Sequence, residues 1–410
     1  MKRSRYTLTC EGLDGKTLAF NTANGAFAVL CGEDELPEQF LVADDFDEAA
    51  ELQRRFSNKR ASSDVLYLTL APTYACNCRC AYCYEQDKAT AKSIMSLEVE
   101  QALYRFVEQR YADTPFTQVL VEWYGGDPQM CLDVVERISE NLIAFCEERA
   151  IVYGAMMLSN TTLIGEKEAA LLKRCRVNSM LITIDGPESV HNARRPALGV
   201  DNAYQRIKQA IRYLQAADIA VNCMMNTDKV NMALLADLEA ELGEEFGIQV
   251  ACAKLNDYAH SYNCSTRFCQ PQFDLYTHEE FAHAMFDYLN THGKLDEATL
   301  QGLLTPADNF CSGQLDNSFV IDAFGDVYKC DGWMGDKTRS LFNLLDGVQP
   351  TDEISFDPFA DECCRACNLL PLCWGNCSWE RERCGWPCHP LKHTMADYLR
   401  AWQKARQIEI

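Results

Sequence analysis

The chain has 410 residues, enough for two or three domains, and its 48% hydrophobic against 24% charged residues can supply a sizeable core. Its 38 basic and 60 acidic side chains leave a net charge of −22, which argues against a nucleic-acid or anionic-membrane partner reached by bulk electrostatics. No apolar run approaches the roughly 18 residues of a membrane span, and the opening MKRSRYTLTCEG lacks an apolar core segment and a small-residue cleavage site, so a cytoplasmic location is expected. In a reducing compartment, 22 cysteines point to metal rather than to disulfides. Cys76, Cys78, Cys80 and Cys83 fall within eight residues, and Cys363, Cys364, Cys367, Cys373, Cys377, Cys384 and Cys388 crowd the other end.

Residues 6–30 alternate in β fashion and are broken by Asp14-Gly15 and Asn24-Gly25, which predicts a small antiparallel cap over 1–60. Asp44 to Phe56 turns from acidic to apolar at helical spacing and predicts a helix. From Val65 the pattern alternates strand and helix: VLYLTLAPT, SLEVEQALYRFVEQRY, QVLVEWYGG, then a helix in which Val135, Ile138, Leu142 and Phe145 recur every three or four residues. Three more strand–helix pairs and the strand IQVACAKLN complete the series near residue 256. Six such units predict an α/β fold, a parallel sheet curled into a partial (β/α)6 TIM-like barrel over 61–256, with active residues at the carboxyl ends of its strands. A bridging segment over 257–310 holds one helix, HEEFAHAMFDYLNTHG. Beyond 311 the chain is rich in Gly, Cys and Trp, and SFVIDAFGDVYKC reads as a hairpin.

Cys76, Cys80 and Cys83 form CxxxCxxC directly after the first barrel strand, a metal site one ligand short of the usual four. Cys78 could complete it as a zinc knuckle. The motif, followed by the aromatic Tyr84, resembles the signature of the radical S-adenosylmethionine (radical SAM) enzymes. That resemblance implies a [4Fe-4S] cluster whose open iron chelates S-adenosylmethionine, which one electron cleaves to a 5′-deoxyadenosyl radical that abstracts a substrate hydrogen. Other strand ends fit the same family. Gly125-Gly126-Asp127-Pro128 looks like its GGEP turn, with Asp in place of Glu, where the backbone meets the cofactor's amino group. Asn160 stands where the family has TNG. Thr183, followed by Asp185-Gly186-Pro187, His191 and Arg195, resembles the S-x-DGP…H…R pattern that meets the ribose and carboxylate; for His191 a surface or helix-capping role is equally open.

Cys311, Cys330, Cys364, Cys367, Cys373, Cys377 and Cys388 reproduce the order of the SPASM pattern, found in radical enzymes that act on peptides and proteins. The resemblance implies a Cys-rich SPASM iron-sulfur domain over 311–410 holding two auxiliary [4Fe-4S] clusters. Cys364, Cys367, Cys373 and Cys388 would bind one, and Cys311, Cys330 and Cys377 the other. Thr305 stands where relatives carry an eighth cysteine, so that position is left open or filled by Cys264, Cys269, Cys363 or Cys384. Asp331 directly follows Cys330, as the catalytic base does in anaerobic sulfatase-maturing enzymes, whose glutamine before GGEP is Tyr124 here. The segment FNTANGAF looks more like the β cap of maturases of ribosomally made peptides. The first reading is therefore a maturase that cross-links or epimerises such a peptide, and the second a formylglycine-generating sulfatase maturase. Both imply a peptide or protein substrate and an electron donor such as flavodoxin or ferredoxin. A non-enzymatic zinc scaffold is the remote alternative.

Overall fold

The structure is a computed structural model that describes residues 1–31, 35–83, 85, 93–256, 273–306, 311–347, 354–383, 385 and 388–408. Tyr84, Cys264, Cys269 and Cys384 lie outside the described residues. The chain divides into two compact units that are not consecutive in sequence: Met1–Ala61, Tyr276–Leu315 and Ile354–Ile410 form one, and Ser62–Leu275 with Asp316–Glu353 form the other.

The chain starts in the first unit with β1 (Lys2–Arg3), β2 (Thr7–Glu11), β3 (Thr17–Asn21), β4 (Phe27–Leu30) and β5 (Leu41–Val42). Strands β2, β3 and β4 form an antiparallel sheet, and β1 pairs with β5. At the second turn the Asn24 carboxamide accepts from Ala26 N at 2.9 Å, and Gly25 takes φ +75°, a conformation that a Cβ disfavours. Helix α1 (Glu48–Arg60) starts at Asp47, whose carboxylate accepts from Ala49 N and Ala50 N at 3.1 and 3.0 Å.

The second unit opens with β6 (Val65–Leu70), followed by α2 (Leu97–Asp113), β7 (Gln118–Trp123), α3 (Leu132–Glu148), β8 (Val152–Leu158), α4 (Glu166–Arg174), β9 (Val177–Thr183), α5 (Glu188–Arg194), α6 (Ala203–Ala216), β10 (Ala220–Thr227), α7 (Leu235–Phe246) and β11 (Val250–Lys254). The six strands pair in parallel and in chain order, the open α/β barrel that the alternation predicts. Every second residue, such as Leu66, Leu68 and Leu70 or Val119, Val121 and Trp123, is fully buried. The alternate face is half-buried and lines the barrel interior, with Thr69, Glu122 and Met156 in register across β6, β7 and β8.

Helices α8 (His278–Thr291) and α9 (Glu297–Leu304) return to the first unit, α8 starting in a reciprocal cap between Thr277 and Glu280. Strands β12 (Ser318–Ile321), β13 (Asp326–Tyr328) and β14 (Phe342–Asn343) then extend the barrel sheet, because β12 pairs in parallel with β6 through Phe319–Leu68 and its neighbours. Three short helices, α10 (Glu362–Ala366), α11 (Leu370–Cys373) and α12 (Ser378–Arg383), follow, with Cys363 and Cys364 on α10 and Cys373 on α11, and α13 (Leu391–Ile408) ends the described chain. Its Met395, Tyr398, Leu399 and Trp402 complete a core with Leu18, Phe20, Phe27, Leu300 and Leu304, and Trp402 stacks on Phe27 at 4.7 Å. Among the described residues no helix is long and apolar enough to cross a membrane.

Candidate active site

The loop that leaves β6 carries the first cysteines and is tied to its neighbours at each step. Thr73 Oγ1 donates to Ser93 O at 2.5 Å, the Tyr74 hydroxyl donates to Asp322 at 2.9 Å, and Arg79 donates to its own loop's carbonyls at Cys76 and Cys78, at 2.7 and 2.8 Å. The backbone of Cys78 bridges Ala197, and Leu198 N donates to Asn77 O at 2.8 Å. Such a loop holds its shape before any ligand arrives.

Gly125 and Gly126 make that loop possible. A Cβ on Gly126 would lie 2.1 Å from Tyr74 O, and one on Gly125, at φ +109°, would lie 2.5 Å from Thr73 O. The glycines are thus required by the cysteine loop itself, which packs its backbone against the turn. Gly126 N donates to Thr73 O and Asp127 N to Ala75 O, at 3.0 and 2.9 Å, so carbonyl oxygen is what the turn offers to an amino group.

Asp127 is buried and accepts four hydrogen bonds, from Gln129 N, Gln129 Nε2, Ser159 Oγ and Asn160 N, at 2.8–3.1 Å. Burial pushes its carboxyl above the usual carboxylate range, and these donors pull against that shift. With all four acceptor positions filled, this carboxylate ties the end of β7 to the end of β8 rather than reaching outward. Asn160 continues the frame: its Oδ1 accepts from Gln129 Nε2 at 2.7 Å, and its Nδ2 donates to Asn77 Oδ1 at 2.9 Å and reaches Cys76 Sγ at 3.6 Å.

The thiols respond differently to this setting. Cys76 Sγ also accepts from Cys78 N at 3.3 Å. Cys80 is lowered to about 7, first by a hydrogen bond from the Cys78 thiol, while burial pushes Cys83 well up. Hydrogen bonds with Cys76 and Cys80, together with burial, push the Cys78 thiol up.

Opposite them stands the half-buried Arg195. Burial works against its charge, but Cys80, Tyr82 and Asp185 outweigh that and raise its pKa well above the usual value. One Nη donates to the Tyr82 hydroxyl, which donates in turn to Asp185 Oδ2, both at 2.5 Å. The Arg195 Nε is buried with no hydrogen-bond partner among the described residues. His191 does not join this group: its Nδ1 accepts from Asp185 N at 3.3 Å, and burial lowers it to about 3, so it is a neutral structural side chain.

A cavity of about 280 Å³ at the strand ends is lined by Cys76, Cys80, Cys83, Gly125, Gly126, Asp127, Asn160, Thr183 and Arg195. The structure therefore gathers every described residue that the sequence nominated for the cofactor. Sequence reasoning passed over Tyr82, a spacer inside the cysteine motif, and Asn226, which donates to the Tyr82 hydroxyl at 3.2 Å and also lines the cavity. Asn226 sits at the carboxyl end of β10, where the barrel topology alone directs attention.

Residues 70–239 match the family described as the Radical SAM superfamily. The chain contains a radical SAM domain. The cysteine-type anaerobic sulfatase-maturating enzyme of Clostridium perfringens strain 13 is 23% identical over 331 residues, covering 74% of this chain and 85% of that protein. The serine-type enzyme of Bacteroides thetaiotaomicron is 26% identical over 190 residues, covering 44% and 42%. Solved structures share the fold. Native anSMEcpe with bound AdoMet and Cp18Cys peptide has a TM-score of 0.62 at 17% identity, covering 84% of this chain and 98% of that one. Streptococcus suis SuiB bound to precursor peptide SuiA has a TM-score of 0.52 at 15% identity, covering 92% and 95%.

The late cysteines fall into both units. Cys364, Cys367, Cys373 and Cys388 belong to the first, where Cys373 feels the charges of Cys367 and Cys388, and Cys364 feels that of Cys373. Cys311 is exposed and influences Cys377 in the same unit, while Cys330 and Asp331 belong to the barrel unit. Cys330 Sγ lies 3.6 Å from Asp331 Oδ1. Burial raises Glu122, on the interior face of β7, to about 7, and the charge of Asp331 adds to the shift. Cys363 is exposed, and the Thr305 hydroxyl donates to Gln301 O at 2.6 Å.

Proposed function

We propose that this chain is a radical SAM enzyme that binds a [4Fe-4S] cluster through Cys76, Cys80 and Cys83, with S-adenosylmethionine at the open iron, and modifies a side chain or α-carbon of a peptide or protein. The observation that carries this reading is one cavity lined by three thiols, with a buried arginine Nε lacking a partner. The donor set fits the group: neutral N–H donors reach the Cys76 sulfur, the Cys80 thiol is lowered to about 7, and the buried Arg195 Nε, with no partner among the described residues, is free to meet a carboxylate. No three metal-ligating side chains among the described residues are yet closed to metal-binding distance, so the thiols would draw in as iron loads. When bound, the cluster and S-adenosylmethionine supply a 5′-deoxyadenosyl radical able to take hydrogen from carbon.

The chain's own residues then hold and orient. Arg195 would pair with the carboxylate, Thr183 would offer its hydroxyl to the ribose, and the Gly125–Gly126 turn would offer carbonyl oxygen to the amino group. Asp127 and Asn160 position the turn and Cys76. Cys364, Cys367, Cys373 and Cys388 would hold one auxiliary [4Fe-4S] cluster, and Cys311, Cys330 and Cys377 would be ligands of the other. Asp331 is the base that takes a proton from the substrate, with Glu122 holding a second proton nearby. A flavodoxin or ferredoxin supplies the electron.

Maturation of a ribosomally made peptide is the first reading, supported by the amino-terminal sheet β2–β4 and by a likeness to SuiB that spans 92% of the chain. Formylglycine formation in a sulfatase is the second, favoured by the Cys330–Asp331 pair and by the sulfatase-maturating relatives. Mass spectrometry after anaerobic reaction separates them. A precursor peptide with its leader that loses hydrogen on a core residue supports the first; a sulfatase-derived peptide that gains an aldehyde at Cys or Ser, with the precursor unchanged, replaces it by the second.

A further inference from the structure

The four thiols Cys364, Cys367, Cys373 and Cys388 are met by two cations that the ligand pattern does not require. Arg381, on α12, donates through Nη2 to Cys364 Sγ at 2.8 Å. The same guanidinium is steered by Asp361 at 3.4 Å and lies over the Phe356 ring at 4.3 Å. Its Nε is buried and pairs with nothing among the described residues. Buried N–H groups are rarely left without an acceptor, and the sulfide of a cluster would be one. Lys392, on α13, donates through Nζ to Cys388 Sγ at 3.3 Å. Among the described residues, Cys367 Sγ accepts from a backbone donor, Leu369 N, at 3.4 Å.

Cluster potentials follow net charge and hydrogen bonds to sulfur, and a reduced cluster carries one more negative charge than its oxidised form. A cation bonded to a ligand sulfur therefore favours the reduced form. We propose that Arg381 and Lys392 are positioning residues that raise the reduction potential of the auxiliary cluster held by Cys364, Cys367, Cys373 and Cys388. This rests on the assignment of that cluster in the preceding reading. Arg381 has the larger effect, because its site is drier and its fork can bond a cysteine sulfur and a sulfide together. Lys392 stands at the surface, so its contribution shrinks as salt is added.

The test is a redox titration followed by electron paramagnetic resonance on reconstituted full-length protein, with Cys76, Cys80 and Cys83 replaced by alanine so that only auxiliary signals remain. Iron is counted in parallel. In Arg381→Gln, one of the two auxiliary couples moves to lower potential and the other stays; Arg381→Lys restores part of the shift. Lys392→Gln moves the same couple less, and 0.5 M salt erases most of that difference. Lys392 is exposed, so its variant decides the matter if Arg381→Gln fails to retain iron. Unchanged potentials in variants with full iron overturn the proposal and leave the cluster assignment standing. A parent protein without auxiliary iron overturns both.

Discussion

The two cysteine regions are built on opposite plans. Cys76, Cys80 and Cys83 stand on a loop whose backbone is tied to Ser93, Gly126 and Ala197 and whose Tyr74 is bonded to Asp322. Cys364, Cys367 and Cys373 stand on or beside helices of four and five residues, half-exposed, with cations rather than neutral amides at two of the four sulfurs of their set. The first region keeps its shape through protein hydrogen bonds, so in the proposed reading iron would complete a finished frame. Helices that short do not hold themselves, and the second region would gain much of its order from a cluster. A site that must bind and release a small molecule benefits from the first plan, whereas a cluster that stays in place permits the second.

The strongest way to break this comparison is to remove a ligand from the finished frame. Cys80→Ala is expected to reduce 5′-deoxyadenosine formation to background while iron bound by the late cysteines remains, as measured by chromatography and iron analysis. Gly126→Ala should do nearly as much without touching a ligand, because its methyl would collide with the Tyr74 carbonyl; loss of cleavage and about 3 kcal/mol of stability are expected in denaturant melts. Asp331→Asn should lower modified peptide by about a hundredfold while S-adenosylmethionine cleavage continues, and full product would remove its role as base. Stripping the iron should raise hydrogen exchange across 361–381 far more than across 71–80, and equal rises would erase the distinction between the two plans.

The smallest effect concerns Glu122. Its carboxyl is raised from 4.5 to about 7, so the native state keeps a proton that the unfolded chain releases between those values. The stabilising contribution is therefore full below pH 4.5 and lost as pH rises through 7. Relative to Glu122→Gln, the wild type should lose about 3 kcal/mol between pH 4 and pH 8, measured by denaturant melts at each pH.

The barrel was legible because its strands and helices carry clean periods of two and 3.6 residues, and because turn and cap residues such as Gly247 and Asn202 punctuate them. The pairing of β12 with β6 was not: the two strands are some 250 residues apart, and nothing local in SFVI names its neighbour. Helix α13 also escaped notice, since its apolar positions follow directly on a Cys- and Pro-rich tract whose composition reads as irregular. Within the site, the cysteines were visible by spacing alone. The work of Asp127 was not, because a buried carboxylate bonded to Ser159 and Asn160 is a property of two strand ends brought together.

The most direct test is anaerobic: iron and sulfide content after reconstitution, together with 5′-deoxyadenosine formed from S-adenosylmethionine under dithionite. Three clusters predict about twelve iron per chain and steady formation of 5′-deoxyadenosine. Zinc in place of iron, with no cleavage, would contradict the account at its centre.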